Sequence, residues 1–171
     1  MVKWRPISLL LLLLAYEVAS AQQTGVRLPT ELSEEESHQI VREGKSKSHV
    51  EAAFKVSVAR LTQALEFAKG SQYRESAQNL DVYAELVNYA DSYARRTTND
   101  RSKDRHSCLK TIEQQIFKQN MTLETIVREL PATYQDTTDR VTSTLKRIRL
   151  RAIDDLLGGG SFLKSSTDTP D

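Results

Sequence analysis

Apolar positions along this chain recur every three or four residues, the spacing of amphipathic helices rather than of strands. From Val50 the pattern steps through Phe54, Val58, Leu61, Leu65 and Ala68, and Gly70 then offers a C-terminal stop. Ser48 followed by Glu51 reads as a capping box at the start of this helix. A second helix, with Ser71 as its expected cap, carries Tyr73, Leu80, Tyr83, Val87, Ala90 and Ala94 to about Thr97. Joined at Gly70-Ser71, the two form an antiparallel hairpin with a heptad-like, coiled-coil seam.

Upstream, Ser33 and Glu36 make another capping box, opening a polar helix to about Gly44 whose inward candidates are Ile40 and Val41. Whether residues 33–69 are one helix or two is open at this level, because Gly44 weakens a helix without forbidding it. Downstream, Thr98 to Asp104 is a polar loop. A helix with Cys108, Leu109, Ile112 and Ile116 follows, and the pattern then fails near Asn120. Thr122 is the expected cap of a short helix bearing Leu123, Ile126, Val127 and Leu130, which Pro131 separates from the next. The last helix uses Tyr134, Val141, Leu145, Ile148, Ala152 and Leu156, and runs to Leu157 before Gly158-Gly159-Gly160.

Between Thr30 and Leu157 the chain has one proline, Pro131, and two glycines, Gly44 and Gly70. So few breakers, with no alternating segment, predict an all-α fold. The expected architecture is an antiparallel up-down helical bundle of about four long legs, the third broken, occupying residues 33–157. Residues 22–32 read as a flexible leader and 158–171 as a glycine-rich hinge and disordered tail, with Phe162-Leu163 as a second contact candidate.

Residues 1–21 change the picture. Lys3 and Arg5 precede an apolar run with six consecutive leucines, and Ala19-Ser20-Ala21 supplies a small-x-small cleavage pattern. A cleaved signal peptide is expected, and with it export to a periplasmic or extracellular space. No later stretch approaches the ~20 apolar residues of a spanning helix. The 171 residues carry 24 basic and 23 acidic side chains, and removal of Lys3, Arg5 and Glu17 leaves equal numbers. A neutral mature chain lacks the positive field that nucleic-acid binding uses. The one cysteine, Cys108, lies on an apolar face with Ile112 and Ile116, so burial is favoured over a bridge between chains.

Candidate chemistry is thin. Glu35-x-x-His38 places a carboxylate and an imidazole on one helix face, but Ser46 and Lys103 stand where His49 and His106 would need a matching glutamate. Acidic residues at 34–36 also suit a helix N-terminus. His106 and Cys108 are two apart and point away from each other on a helix. No nucleophile elbow or phosphate loop is present. No catalytic residue, cofactor or metal ligand is therefore assigned.

Association is the stronger theme. A second stripe on the helix ending near Thr97 holds Val82, Leu86, Tyr89 and Tyr93. It reads either as contact with a second neighbour inside the bundle or as a tyrosine-bearing partner surface. Leu150, Ile153 and Leu157 form a smaller analogue on the last helix. The run Lys146 to Arg151 is the densest charge cluster. Arg140, Arg147 and Arg151 share a stripe suited to acidic protein, phosphate or lipid headgroups, although four-residue pairs Asp136–Arg140 and Asp155–Arg151 would neutralise part of it. Asn120-Met121-Thr122 is an N-glycosylation sequon, a short and common motif. The expected function is that of an exported, soluble, non-catalytic bundle acting by protein association, self-association or as an envelope scaffold. A bundle carrying a small ligand or metal, and an enzyme with a dispersed site, are the alternatives.

Overall fold

Each helix boundary has a local chemical cause. A computed structural model describes residues 25–99 and 102–158; the expected signal peptide and the tail from Gly159 lie outside the described residues. Helix α1, Glu34–Val41, opens on the expected capping box: Glu36 N–H donates to Ser33 Oγ at 3.2 Å, and Ser33 N–H donates to the Glu36 carboxylate at 2.8 Å. A break across residues 42–45 separates it from α2, Ser46–Lys69, so residues 33–69 form two helices. Ser48 is not the cap. The helix begins two residues earlier, with extended Lys45 in the capping position and no side-chain bond there.

The α2–α3 corner also departs from the expected cap. Gly70 sits at the C-cap, and Ser71 takes the left-handed conformation at φ 59°. Ser71 N–H reaches Ala68 O at 3.1 Å and Gln72 N–H reaches Phe67 O at 2.8 Å. These paired bonds make a Schellman motif, so Ser71 closes α2 rather than opening α3, Tyr73–Thr97.

The expected break in the third leg is absent. Helix α4 runs unbroken over Lys103–Glu129, starting where Ser102 Oγ accepts the Arg105 N–H at 3.1 Å. Its buried seam is Ile112, Ile116, Gln119, Leu123 and Ile126, at alternating four- and three-residue steps. A glutamine in the seam interrupts the hydrophobic pattern but not the backbone, and Thr122 lies inside the helix rather than capping one. Leu130 is extended, as the residue before a proline prefers. A 3₁₀ turn, Ala132–Tyr134, then leads into α5, Gln135–Leu156.

Cross-helix contacts fix the topology. His49 meets Tyr89 and Ser76 meets Ala64 O, so α2 and α3 are antiparallel. Asp81 meets Arg140, Asp91 meets Arg151 and Arg95 meets Asp155; residue numbers rise together, and α3 and α5 are parallel. Arg105 meets Asp155 and Glu113 meets Arg149, making α4 and α5 antiparallel. Consecutive legs therefore alternate in direction, as expected of an up-down order. The α3–α4 connection nevertheless crosses the bundle diagonal: α3 packs mainly on α2 and α5, whereas α2 packs on α3 and α4. No strand occurs among the described residues.

One core cluster joins all five helices. Cys108 is inside it as a free thiol. Residues 25–32 differ from the expected flexible leader, because Val26, Leu28 and Leu32 pack against that core. Arg60 ties this strap down. Its guanidinium holds both oxygens of Glu36, the Glu31 carbonyl at 3.3 Å and Asn79 Oδ1 at 3.3 Å. Burial pushes the Glu36 carboxyl up, but the Arg60 and Ser33 hydrogen bonds outweigh it and hold the group below its ordinary range.

Candidate functional site

The expected tyrosine surface is interior. Val82, Leu86 and Tyr89 are buried, and Tyr93 is half-buried against the core. They sit there because α3 is the central helix, with α2, α5 and α4 all against it. The stripe is thus a second packing seam, and the partner-surface reading of these residues is corrected.

Tyr89 and Tyr93 instead enclose His49. The imidazole stacks on Tyr93 with centroids 3.8 Å apart and planes 8° from parallel. The Tyr89 hydroxyl donates to His49 Nε2 at 2.7 Å, and Nδ1–H donates to the Glu43 carbonyl at 3.3 Å. Both ring nitrogens are satisfied in the neutral form. Burial holds the His49 pKa below its ordinary value, against a smaller pull upward from Glu43. It also pushes the Tyr89 phenol up to about 12 and the Cys108 thiol up to about 11. These groups are locked and protonated, which suits them to holding helices together and not to nucleophilic work.

Beside this cluster, at the same end of the bundle, lies an ionic network. Fully buried Asp91 receives Arg95 from its own helix at 2.9 Å and Arg151 from α5. Asp155 receives Arg95 from α3 and Arg105 from α4 at 3.8 Å. The expected four-residue pairs are replaced by these cross-helix pairs. Arg151 goes to Asp91, and Arg140 goes to Asp81 at 2.9 Å, because α3 presents its acids along the face that α5 covers. Of the basic stripe only Arg147 is exposed with no ion-pair partner among the described residues, so the stripe is largely structural.

The open feature is elsewhere. A groove of about 420 Å³ runs between α4 and α5 over Tyr83 of α3. Buried Tyr83, Ile116, Leu123 and Leu145, with half-buried Ile153, form its floor; Asn120, Thr142, Lys146, Arg149 and Leu150 form its rim. That volume falls in the range of small-ligand sites, which are typically apolar with a few polar groups. Phe117 and Met121, one turn apart on α4, are 61% and 69% exposed, and Leu150 is 44% exposed. Arg149 lies over the Phe117 ring at 4.9 Å while pairing with Glu113 at 3.1 Å. Asn120 of the sequon is exposed on the rim, inside an intact helix, with its amide bonded to Glu124 at 2.5 Å.

Sequence reasoning found only the α5 side of this region, Leu150 and Ile153. Phe117 and Met121 fell outside the three-and-four pattern and carried no weight, and a break was expected near Asn120. The useful signal was two large apolar residues spaced by four on the polar side of a helix. Among the described residues no three of His, Cys, Asp and Glu converge as metal ligands, and exposed Glu35 and His38 stand alone on α1. No described helix is long and apolar enough to cross a membrane. No protein-family model, curated protein or solved structure matches the chain.

Proposed function

We propose that this is an exported, non-catalytic helical-bundle protein that works by binding, and that the α4–α5 face is where it binds. Export rests on the arrangement of residues 1–21. The binding face rests on one observation: Phe117, Met121 and Leu150 are large, apolar and exposed beside an open groove. Exposed apolar patches of this kind mark contact sites. Arg147 and Lys146 place positive charge next to it, so an acidic or anionic partner is preferred.

Crosslinking of the tagged chain in its native host tests this reading. Partners retained by the wild type should be lost from a Phe117→Ser/Met121→Ser variant whose helical circular dichroism is unchanged. Identical crosslinks from both proteins would sink the assignment of the face. A second reading, a bundle that carries a small ligand, is favoured by the groove itself, which is deep enough to reach Tyr83 of the third helix in the stack.

A further inference from the structure

We infer that the α4–α5 groove binds a monomeric long-chain carboxylate, its alkyl chain along the floor and its head beside Lys146. The inference rests on the ligand-carrying reading above and names the ligand class. Two observations carry it. First, the floor is apolar, and the part of α5 that lines it, Thr142 to Ile153, extends about 16 Å at the helical rise. A single extended alkyl chain fits a slot of that length and volume, whereas a partner helix, ~10 Å across, does not.

Second, the rim is cationic on one side only. Lys146 has no acidic partner among the described residues, so an incoming carboxylate displaces water and no ion pair. Arg149, already engaged by Glu113, adds positive potential without being consumed. Tyr83, only 1% exposed, closes the slot from below. Charge therefore selects an anionic amphiphile over a cationic one.

Calorimetric titration of the mature chain with laurate, kept below its micelle concentration, tests the inference. One saturable site is expected, with dodecyltrimethylammonium, which has the same chain and the opposite charge, binding at least about tenfold more weakly. Lys146→Glu should cut laurate affinity about tenfold and narrow or reverse that preference. Thr142→Trp, at an exposed wall position, should abolish binding by filling the slot while the circular dichroism stays helical. Absence of saturable laurate heat, or equal affinity for both amphiphiles, would overturn the inference. So would co-sedimentation with phosphatidylglycerol vesicles in place of monomer binding, since the face would then meet a bilayer. None of these failures alters the partner crosslinks, so the broader reading of the face stands or falls separately.

Discussion

Two regions of this bundle bury polar side chains, and they do so on opposite terms. At one end, His49, Tyr89 and Asp91 are enclosed with partners on every side: a carbonyl, a hydroxyl and two guanidinium groups. Midway along α4, Gln119 is equally enclosed, but neither its amide oxygen nor its nitrogen has a partner among the described residues. The first arrangement is how a core tolerates polarity, by pairing these three side chains before water is lost, although Arg95 Nη2 in the same layer has no hydrogen-bond partner among the described residues. The second costs stability that ordinary packing does not return.

The contrast can be broken most forcefully at Asp91. Asp91→Ala leaves two arginines facing a buried, emptied position, and urea denaturation should show a loss of about 3 kcal/mol. Loss of well under that amount would mean that the ionic layer is not what holds α3 to α5. Gln119→Leu should act in the opposite direction. It restores an aliphatic seam and removes an unpartnered amide, so stability should rise by about 1–2 kcal/mol in the same assay. A destabilised Gln119→Leu would mean that the amide is satisfied after all, and the comparison would fail.

Protonation gives a smaller effect with a definite sign. Burial disfavours the His49 imidazolium, so the folded chain binds fewer protons than the unfolded one. Stability from this group is present above the ordinary histidine value of 6.5 and falls as the pH is lowered through it. Melting temperatures measured from about pH 8 to pH 5 should decline in the wild type and stay flatter in His49→Gln. The Glu36 contribution is lost in a lower window, as the pH falls below the ordinary carboxyl value of 4.5, so the two are separable. A His49→Gln curve parallel to wild type would remove the imidazole from the account. The smallest change expected is at Ser71→Gly, which relieves the left-handed backbone and should stabilise by about 0.5 kcal/mol, visible as a melting point a degree or two higher.

Helix type and approximate extent were legible in the sequence because the periodicity is strong in every long leg. The capping box at Ser33 and the stop at Gly70 were legible too, since each depends on residues within one turn. What escaped notice depended on partners far along the chain. Asp136 and Asp155 were the nearest acids to Arg140 and Arg151, but tertiary packing delivered Asp81 and Asp91 instead. A break was expected near Asn120 because local pattern cannot distinguish a polar residue in a seam, here Gln119, from a break in the backbone. The stripe from Val82 to Tyr93 was ambiguous for a related reason: a helix touched on several sides and a helix with an open face have the same spacing. The groove as a whole had no local signature beyond Leu150 and Ile153, being made from three helices and visible only once they are stacked.

The parallel alignment of α3 with α5 also sets an order of events during synthesis. Asp91 and Arg151 are sixty residues apart, with all of α4 between them. At ~5–20 residues per second, a ribosome needs several seconds to supply the arginine after the aspartate has emerged. Through that interval the nascent chain has every reason to keep its carboxylate in water. The hairpin of α2 and α3 thus stays ajar on one side until the final helix arrives to shut it.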